Sequence, residues 1–72
     1  MHINPESEKV MKNTKLIEAR EKNSLTQEAV AKKAGISLRA YQIYESGKRT
    51  PRADVAILIA RTVKSTVEKL FG

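Results

Sequence analysis

The sequence predicts an all-α fold, a compact domain of five short helices, and three features support this prediction. Helix start and stop signals follow one another closely between residues 25 and 51. Apolar residues recur between residues 56 and 63 at the i, i+3, i+4, i+7 spacing of an amphipathic helix. With 72 residues, 40% hydrophobic content and three aromatic side chains, the chain can bury one small, mainly aliphatic core.

Residues 1–12 are expected to form an N-terminal extension, frayed or weakly helical, outside the domain of residues 13–72. Asn4, Pro5 and Glu6 have the order of a helix start, with a cap, a proline at the first position and an acid in the first turn. The two acids and two lysines of this segment cancel, so it is a poor candidate for a basic arm.

The first helix of the domain is predicted over residues 13–23, ending before the turn at Asn23 and Ser24. Its periodicity turns Leu16, Ala19 and Arg20 inward.

The next two helices are predicted from their ends. Thr26 is a cap for a helix that continues to Ala34, and Gly35 stands where a helix end requires a left-handed residue. Ser37 then caps a helix over residues 38–46, which ends before Gly47. Two short helices joined by a tight glycine turn form a helix-turn-helix, which places its second helix in the major groove of DNA.

The outward face of this second helix carries side chains that can read base edges. At about 100° per residue, with Tyr41 at the centre of the buried face, Arg39, Gln42 and Ile43 point outward. Arg suits guanine O6 and N7, Gln suits adenine N6 and N7, and an aliphatic group suits the thymine methyl. Leu38 joins them as a base-reading candidate. Taken one at a time, exposed Arg and Gln are usually solvated surface, so the pattern needs independent support.

A basic cluster follows this helix. Lys48, Arg49 and Arg52 lie within five residues of a loop that contains Pro51. Charge runs are usually solvated, but phosphate contacts beside a recognition helix fix its register on DNA. We therefore expect these three residues, with Ser46, to bind phosphates.

The fourth helix is predicted over residues 53–63, with a core stripe of Ala56, Ile59, Ala60 and Val63. Ile57 and Leu58 lie outside this stripe and are expected to contact the N-terminal segment or another chain. The fifth helix is predicted to start at residue 65 or 66. Its apolar side chains are expected to close the core: Val67, Leu70 and Phe71.

The central segment resembles the helix-turn-helix of the phage Cro and lambda-repressor family of transcriptional regulators, and the likeness extends from Leu16 to Phe71. It is carried by Gln27, Ala31, Gly35, Tyr41, Tyr44 and the run from Glu45 to Pro51. The resemblance implies a five-helix DNA-binding domain in which Gln27 holds a phosphate and Arg20 pairs with Glu45. It also implies contact between two copies around the fourth and fifth helices, near Val67.

Two departures from the family pattern concern helix boundaries. Arg52 stands where the family usually has a small hydroxyl cap, and Asp54 is expected to compensate in part through the helix dipole. Lys64 stands where the family often has glycine, so the turn before the fifth helix is expected to be mildly strained.

Charge and composition limit the possible partners. A net charge of +6 and a pI near 9.9 favour a polyanion. The absence of cysteine gives neither a disulfide nor a thiolate site, and no apolar run reaches membrane-spanning length, so we expect a cytoplasmic protein without membrane contact. His2 and Asp54 are the sole histidine and aspartate, so neither catalysis, a metal nor a cofactor is expected.

The sequence therefore predicts a regulator, a repressor, that binds double-stranded DNA at a pseudo-palindromic operator as a homodimer, at least on DNA, with no small-molecule ligand. Two alternatives use the same fold. One is the antitoxin of a toxin–antitoxin pair, in which a partner covers exposed apolar surface. The other is a protein-interaction module that has lost DNA binding, although such a module would be expected to lose Arg39, Lys48 and Arg49, which are all present.

Overall fold

The computed structural model describes residues 12–72, and this part of the chain is all-helical, as predicted. It contains α1 (Thr14–Lys22), α2 (Gln27–Ala34), α3 (Leu38–Glu45), α4 (Ala53–Thr62) and α5 (Val67–Phe71). The expectations for the N-terminal extension fall on residues 1–11 and lie outside the described residues. The predicted contact of that segment with Ile57 and Leu58 also lies outside the described residues. Ile57 and Leu58 themselves are 45% and 40% exposed.

Side-chain oxygens cap four of the helices described. Asn13, Thr26, Ser37 and Thr66 each accept a hydrogen bond from a backbone N–H in the first turn of the helix that follows. Arg52, at the start of α4, makes no such bond. The predicted caps Thr26 and Ser37 are thus confirmed, and so is the missing cap at Arg52.

Three helices end in the same way, with a left-handed residue followed by a hydrogen bond back to the last turn. These residues are Ser24 (φ 55°), Gly35 (φ 71°) and Lys64 (φ 56°). The closing bonds run from the next N–H to the carbonyl five residues earlier: Leu25 to Arg20, Ile36 to Ala31 and Ser65 to Ala60. Lys64 adopts a conformation that side chains disfavour, which confirms the predicted strain at that turn.

A single core lies among the five helices. α2 packs against α3 and α4, and α5 packs against α4 and α1. The core consists of Leu16, Val30, Ala31, Ala34, Tyr41, Ile59, Ala60, Val63 and Leu70. The stripe predicted on α4 is confirmed. The assignment of Val67 to the core was wrong: this residue is 36% exposed, and Leu70 is the buried residue of the short helix α5.

Two asparagine side chains tie α1 to distant parts of the chain. The Nδ2 of Asn13 donates to the carbonyl of Leu70 at 2.9 Å. The Nδ2 of Asn23 donates to the carbonyls of Ala19 and Val63, both at 2.8 Å. Both ends of α1 are therefore fixed against the last two helices.

Candidate nucleic-acid interface

The outer face of α3 is an accessible row of chemically diverse side chains. Arg39 and Gln42 are exposed, Leu38 is 39% exposed, and Ile43 is half-buried. On the opposite face Tyr41 is fully buried. The exposure of Arg39 and Gln42 and the burial of Tyr41 agree with the angles calculated from the sequence, whereas Ile43 is less exposed than those angles predicted.

The buried face of α3 ends in a carboxylate that accepts hydrogen bonds from three side chains. Oε2 of Glu45 accepts from Nε of Arg20 and from the hydroxyl of Tyr41, both at 2.6 Å. Oε1 accepts from Nη2 of Arg20 at 3.3 Å and from Nε2 of Gln27 at 2.9 Å. The structure thus brings together Arg20 and Glu45, the two residues expected to pair, and adds Tyr41 and Gln27 to them.

These contacts determine the charge state of the cluster. Burial on its own would raise the pKa of Glu45, but the hydrogen bonds from Arg20, Tyr41 and Gln27 outweigh it, so the pKa lies below its ordinary value. The hydrogen bond to Glu45 raises the pKa of Arg20, and burial raises the pKa of Tyr41. Glu45 is therefore ionised at neutral pH, and Tyr41 remains a hydrogen-bond donor.

A chain of two amides connects this buried carboxylate to the exposed face. Gln27, at the first position of α2, donates from Nε2 to Glu45. Its Oε1 accepts a hydrogen bond at 3.1 Å from Nε2 of Gln42. Gln42 is thus hydrogen-bonded to a side chain of the neighbouring helix.

The loop after α3 carries exposed positive charge. Lys48 and Arg49 are exposed, and within residues 12–72 neither they nor Arg39 has an acidic group within 4.0 Å. Ser46 is half-buried at the end of α3, where its hydroxyl donates to the carbonyl of Ile43 and accepts from the N–H of Lys48. Ser46 therefore orders the start of the loop.

Arg52 differs from the other basic residues of this loop. Its Nε and Nη2 donate to the two carboxylate oxygens of Asp54, both at 2.9 Å, and both side chains are largely exposed. This hydrogen bonding, the largest cause, lowers the pKa of Asp54 to about 2. Any phosphate contact made by Arg52 must therefore compete with Asp54.

Three contacts of this cluster were not predicted from the sequence: those of Tyr41 and of Gln27 with Glu45, and that between Gln27 and Gln42. The bond from Tyr41 to Glu45 joins residues i and i+4 of one helix, so their spacing and shared buried face could have revealed it. The bond between Gln27 and Gln42 joins two helices and depends on the angle at which they pack, which no local pattern specifies.

Two properties of residues 12–72 bear on metal binding and on membrane insertion. This part of the chain has no cluster of three or more His, Asp or Glu side chains that could hold a metal ion. None of the helices described here is long and apolar enough to cross a membrane.

Comparison with known proteins identifies the family that this chain resembles. Residues 16–70 match the helix-turn-helix family. An uncharacterized HTH-type transcriptional regulator of Archaeoglobus fulgidus is 38% identical over 58 residues, which are 81% of this chain and 83% of that protein. A second uncharacterized HTH-type transcriptional regulator of the same organism is 34% identical over 58 residues, 81% of this chain and 82% of that protein. No solved structure matches the chain significantly.

Proposed function

This chain belongs to the helix-turn-helix family of the Cro/C1 type, and from that premise we propose that it regulates transcription by binding double-stranded DNA at specific sequences. The observation that carries the proposal is the position of the exposed face of α3 directly before an exposed basic loop. The relatives, named as HTH-type transcriptional regulators, support the same function. The proposal places the protein in the cytoplasm, with double-stranded DNA as its binding partner.

In this proposal α3 lies in the major groove. Leu38, Arg39, Gln42 and Ile43 contact base edges, where a guanidinium, an amide and two aliphatic groups each recognise a different base pattern. Arg39 is free to form a bidentate contact with guanine, since no acidic group within residues 12–72 lies within salt-bridge distance of it.

Phosphate contacts would come from the residues around this helix. Lys48 and Arg49 follow α3 in an exposed loop, and neither forms a salt bridge within residues 12–72. Gln27 retains one N–H beyond its bond to Glu45, Ser46 lies at the end of α3, and Arg52 would contribute if it exchanges Asp54 for a phosphate. Such contacts fix orientation and register without reading sequence.

We further propose that two copies bind a pseudo-palindromic operator and repress the promoter that contains it. One short recognition helix buries too small an interface to select a single genomic site. Val67 is exposed on α5 and is the proposed centre of the contact between copies. Lys64 and Lys69, which flank Val67 and are exposed, would oppose this contact, so the free protein is expected to be mainly monomeric and to pair where two half-sites hold the copies side by side.

Selection of bound sequences from a random duplex library tests this function. A DNA-binding regulator enriches one motif with two half-sites about one helical turn apart. Recovery of unenriched sequences, or of none, would contradict the proposal.

One observation favours a second candidate, the antitoxin of a toxin–antitoxin pair. Ile57 and Leu58 are adjacent on α4 and both are exposed, which offers apolar surface to a partner. If a small reading frame neighbours the gene, co-expression tests this candidate. A stable complex that is lost on Leu58→Glu would support it, and purification of the two proteins as separate species would refute it.

A further inference from the structure

A cavity between α1 and α5 is lined by residues that the proposed DNA contacts do not use. Its volume is about 540 Å³, within the range of roughly 300 to 1,000 Å³ that is typical of small-molecule sites. The lining residues belong to α1 and its C-terminal cap, to the turn between α4 and α5, and to α5. None belongs to α2, to α3 or to the loop of Lys48 and Arg49. A molecule bound there would not cover the proposed DNA interface.

Positive charge surrounds this cavity. Its lining includes one glutamate, Glu18, and four lysines: Lys15, Lys22, Lys64 and Lys69. Together these residues carry a formal charge of +3, half of the +6 of the whole chain. All four lysines are exposed, and none forms a salt bridge within residues 12–72. Half of the charge excess that predicted a polyanionic partner therefore lies around the cavity and not at the proposed DNA contacts.

The base of the cavity is apolar and is fixed by a hydrogen bond between its walls. Asn23, one of the lining residues, donates from Nδ2 to the carbonyl of Val63 at 2.8 Å and so joins the end of α1 to the end of α4. Val63 and Leu70 line the cavity and are buried, and Ala19 beside them is half-buried. The cavity therefore combines an apolar base with long, exposed cationic side chains at its rim.

Lys64 occupies its place at the rim in a strained conformation. Its φ is 56°, which glycine would adopt without the crowding of a Cβ atom. Strained residues of this kind cluster at ligand-binding and catalytic sites. The strain at Lys64 therefore supports a binding role for the cavity that this residue lines.

The two parts of the cavity define the chemistry of its ligand. The ammonium group of lysine binds phosphate as a point charge, and four such groups around one cavity favour a ligand whose negative charges lie close together. An apolar base favours a ligand that also has an apolar or aromatic body. We propose that the cavity binds an organic diphosphate, with the diphosphate among the lysines and the organic part against Val63 and Leu70. No such ligand was expected from the sequence, because the lining residues come from separate segments of the chain.

Occupancy of the cavity should favour the proposed pairing of two copies. Lys64 and Lys69 flank Val67, the proposed centre of that contact, and their charges oppose it. A bound diphosphate would cancel most of the positive charge around the cavity and so reduce this repulsion. The ligand would then increase cooperativity at a two-fold operator. This effect on pairing rests on the proposed function, whereas the binding site does not.

Isothermal titration calorimetry of the full-length protein, without DNA or divalent cations, tests the site. ADP and inorganic pyrophosphate are the probes, because they carry nearly the same charge and differ in the organic part. We expect one ADP per chain and severalfold weaker binding of pyrophosphate, which makes no contact with the apolar base. Equal affinities would show that charge alone attracts the anion and would overturn the proposal of an organic ligand. Binding of neither probe would overturn the site itself.

Two double variants with the same loss of charge locate the bound anion. Lys22→Gln with Lys69→Gln removes two lysines of the cavity, each from the last turn of its helix. Lys32→Gln with Lys33→Gln removes two lysines from the last turn of α2, outside the cavity. The first pair should weaken ADP binding about tenfold and the second by less than about twofold, with unchanged melting temperatures as evidence of folding. Equal weakening by the two pairs would contradict the assignment of the anion to this cavity.

Titration of the palindromic operator with and without ADP tests the effect on pairing. ADP should make the binding curve of the wild-type protein steeper and should leave that of the Lys22→Gln, Lys69→Gln variant unchanged. Identical wild-type curves with and without ADP would refute the effect on pairing and leave the site standing. If selection yields no operator, the proposed function and the effect on pairing fail together, while the calorimetry still decides the site.

Discussion

Arg20 of α1 and Glu45 of α3 form a two-point ion pair, with Nε 2.6 Å from Oε2 and Nη2 3.3 Å from Oε1. The two side chains are 13% and 5% exposed. The pair therefore joins the first helix to the end of the proposed recognition helix in a largely water-excluded position. Removing either partner leaves a buried charge without its main counter-charge.

Arg20→Ala should accordingly lower the free energy of unfolding by about 3 kcal/mol, as measured by urea denaturation. In a domain of this size that is a large part of the total stability. Arg52→Ala is the matched control, because Arg52 also pairs with a carboxylate but is exposed, and it should cause no measurable loss. An equal loss of unfolding free energy in the two variants would show that the buried pair stabilises the fold no more than the exposed pair.

Stability should fall at acid pH in a way that depends on Glu45. Its pKa in the folded protein lies below the ordinary 4.5, so ionised Glu45 stabilises the fold fully above that pH. The contribution is lost as the pH falls through the lowered pKa. Glu45→Gln should be less stable at neutral pH and should lose less stability than the wild type on acidification below about pH 4.5. Asp54 titrates in both proteins, so parallel pH curves for the two would contradict the assignment.

Arg39 and Lys48 should differ in the kind of effect they have on DNA binding. Arg39→Ala should cost about 1 to 3 kcal/mol on the selected operator and relax preference at one base pair. Lys48→Ala should weaken binding to all sequences alike and reduce the slope of log Kd against log salt by about one. Titrations at several salt concentrations measure both. If Arg39→Ala weakens specific and random duplexes equally, Arg39 is a phosphate contact.

Lys64→Gly should stabilise the protein. Lys64 has φ 56°, a conformation in which its Cβ crowds the backbone and which glycine adopts without that cost. After allowance for the greater freedom of glycine in the unfolded chain, the gain should be about 1 kcal/mol or less, seen as a higher melting temperature. Glu18→Gly, at an exposed position within α1, should lower it instead. A lower melting temperature for Lys64→Gly would show that the lysine side chain stabilises the fold by more than its left-handed backbone conformation costs.

Binding to a two-fold operator should be cooperative. Titration of a palindromic duplex should give two bound copies with a steeper curve than two isolated half-sites. Val67→Glu should remove the cooperativity while leaving half-site affinity nearly unchanged, because Val67 is exposed and does not support the core. Equal affinity per half-site in the palindrome and in isolation would show that each domain acts alone.

The features that the sequence predicted are those controlled by neighbouring residues. Thr26, Ser37 and Gly35 act on the backbone within a few positions, so their roles could be derived from residue type and order. The stripe on α4 repeats over enough turns to define a face. For the five residues of α5 the same calculation failed at Val67, because a helix of little more than one turn has no reliable periodicity.

Contacts between helices were predictable where the family resemblance supplied them and otherwise not. The pairing of Arg20 with Glu45 came from the resemblance. The bonds of Gln42 to Gln27 and of Asn23 to Val63 depend on how helices cross, and the second joins residues 40 positions apart. The contact that was not predicted, between Gln27 and Gln42, is the one that distinguishes Gln42 from other exposed glutamines.

The amide of Asn13 bears on the order in which the chain can complete its fold during synthesis. Asn13 caps α1, the first helix of the domain to leave the ribosome, and the same side chain donates to Leu70 in α5, 57 residues later. The emerging α1 can form its own turns, but the bond from Asn13 to Leu70 cannot form until α5 has been translated. The nascent domain therefore lacks this bond until α5 emerges, although the backbone N–H of Asn13 can already donate to the carbonyl of Glu45, and a chain interrupted before Leu70 lacks the bond altogether.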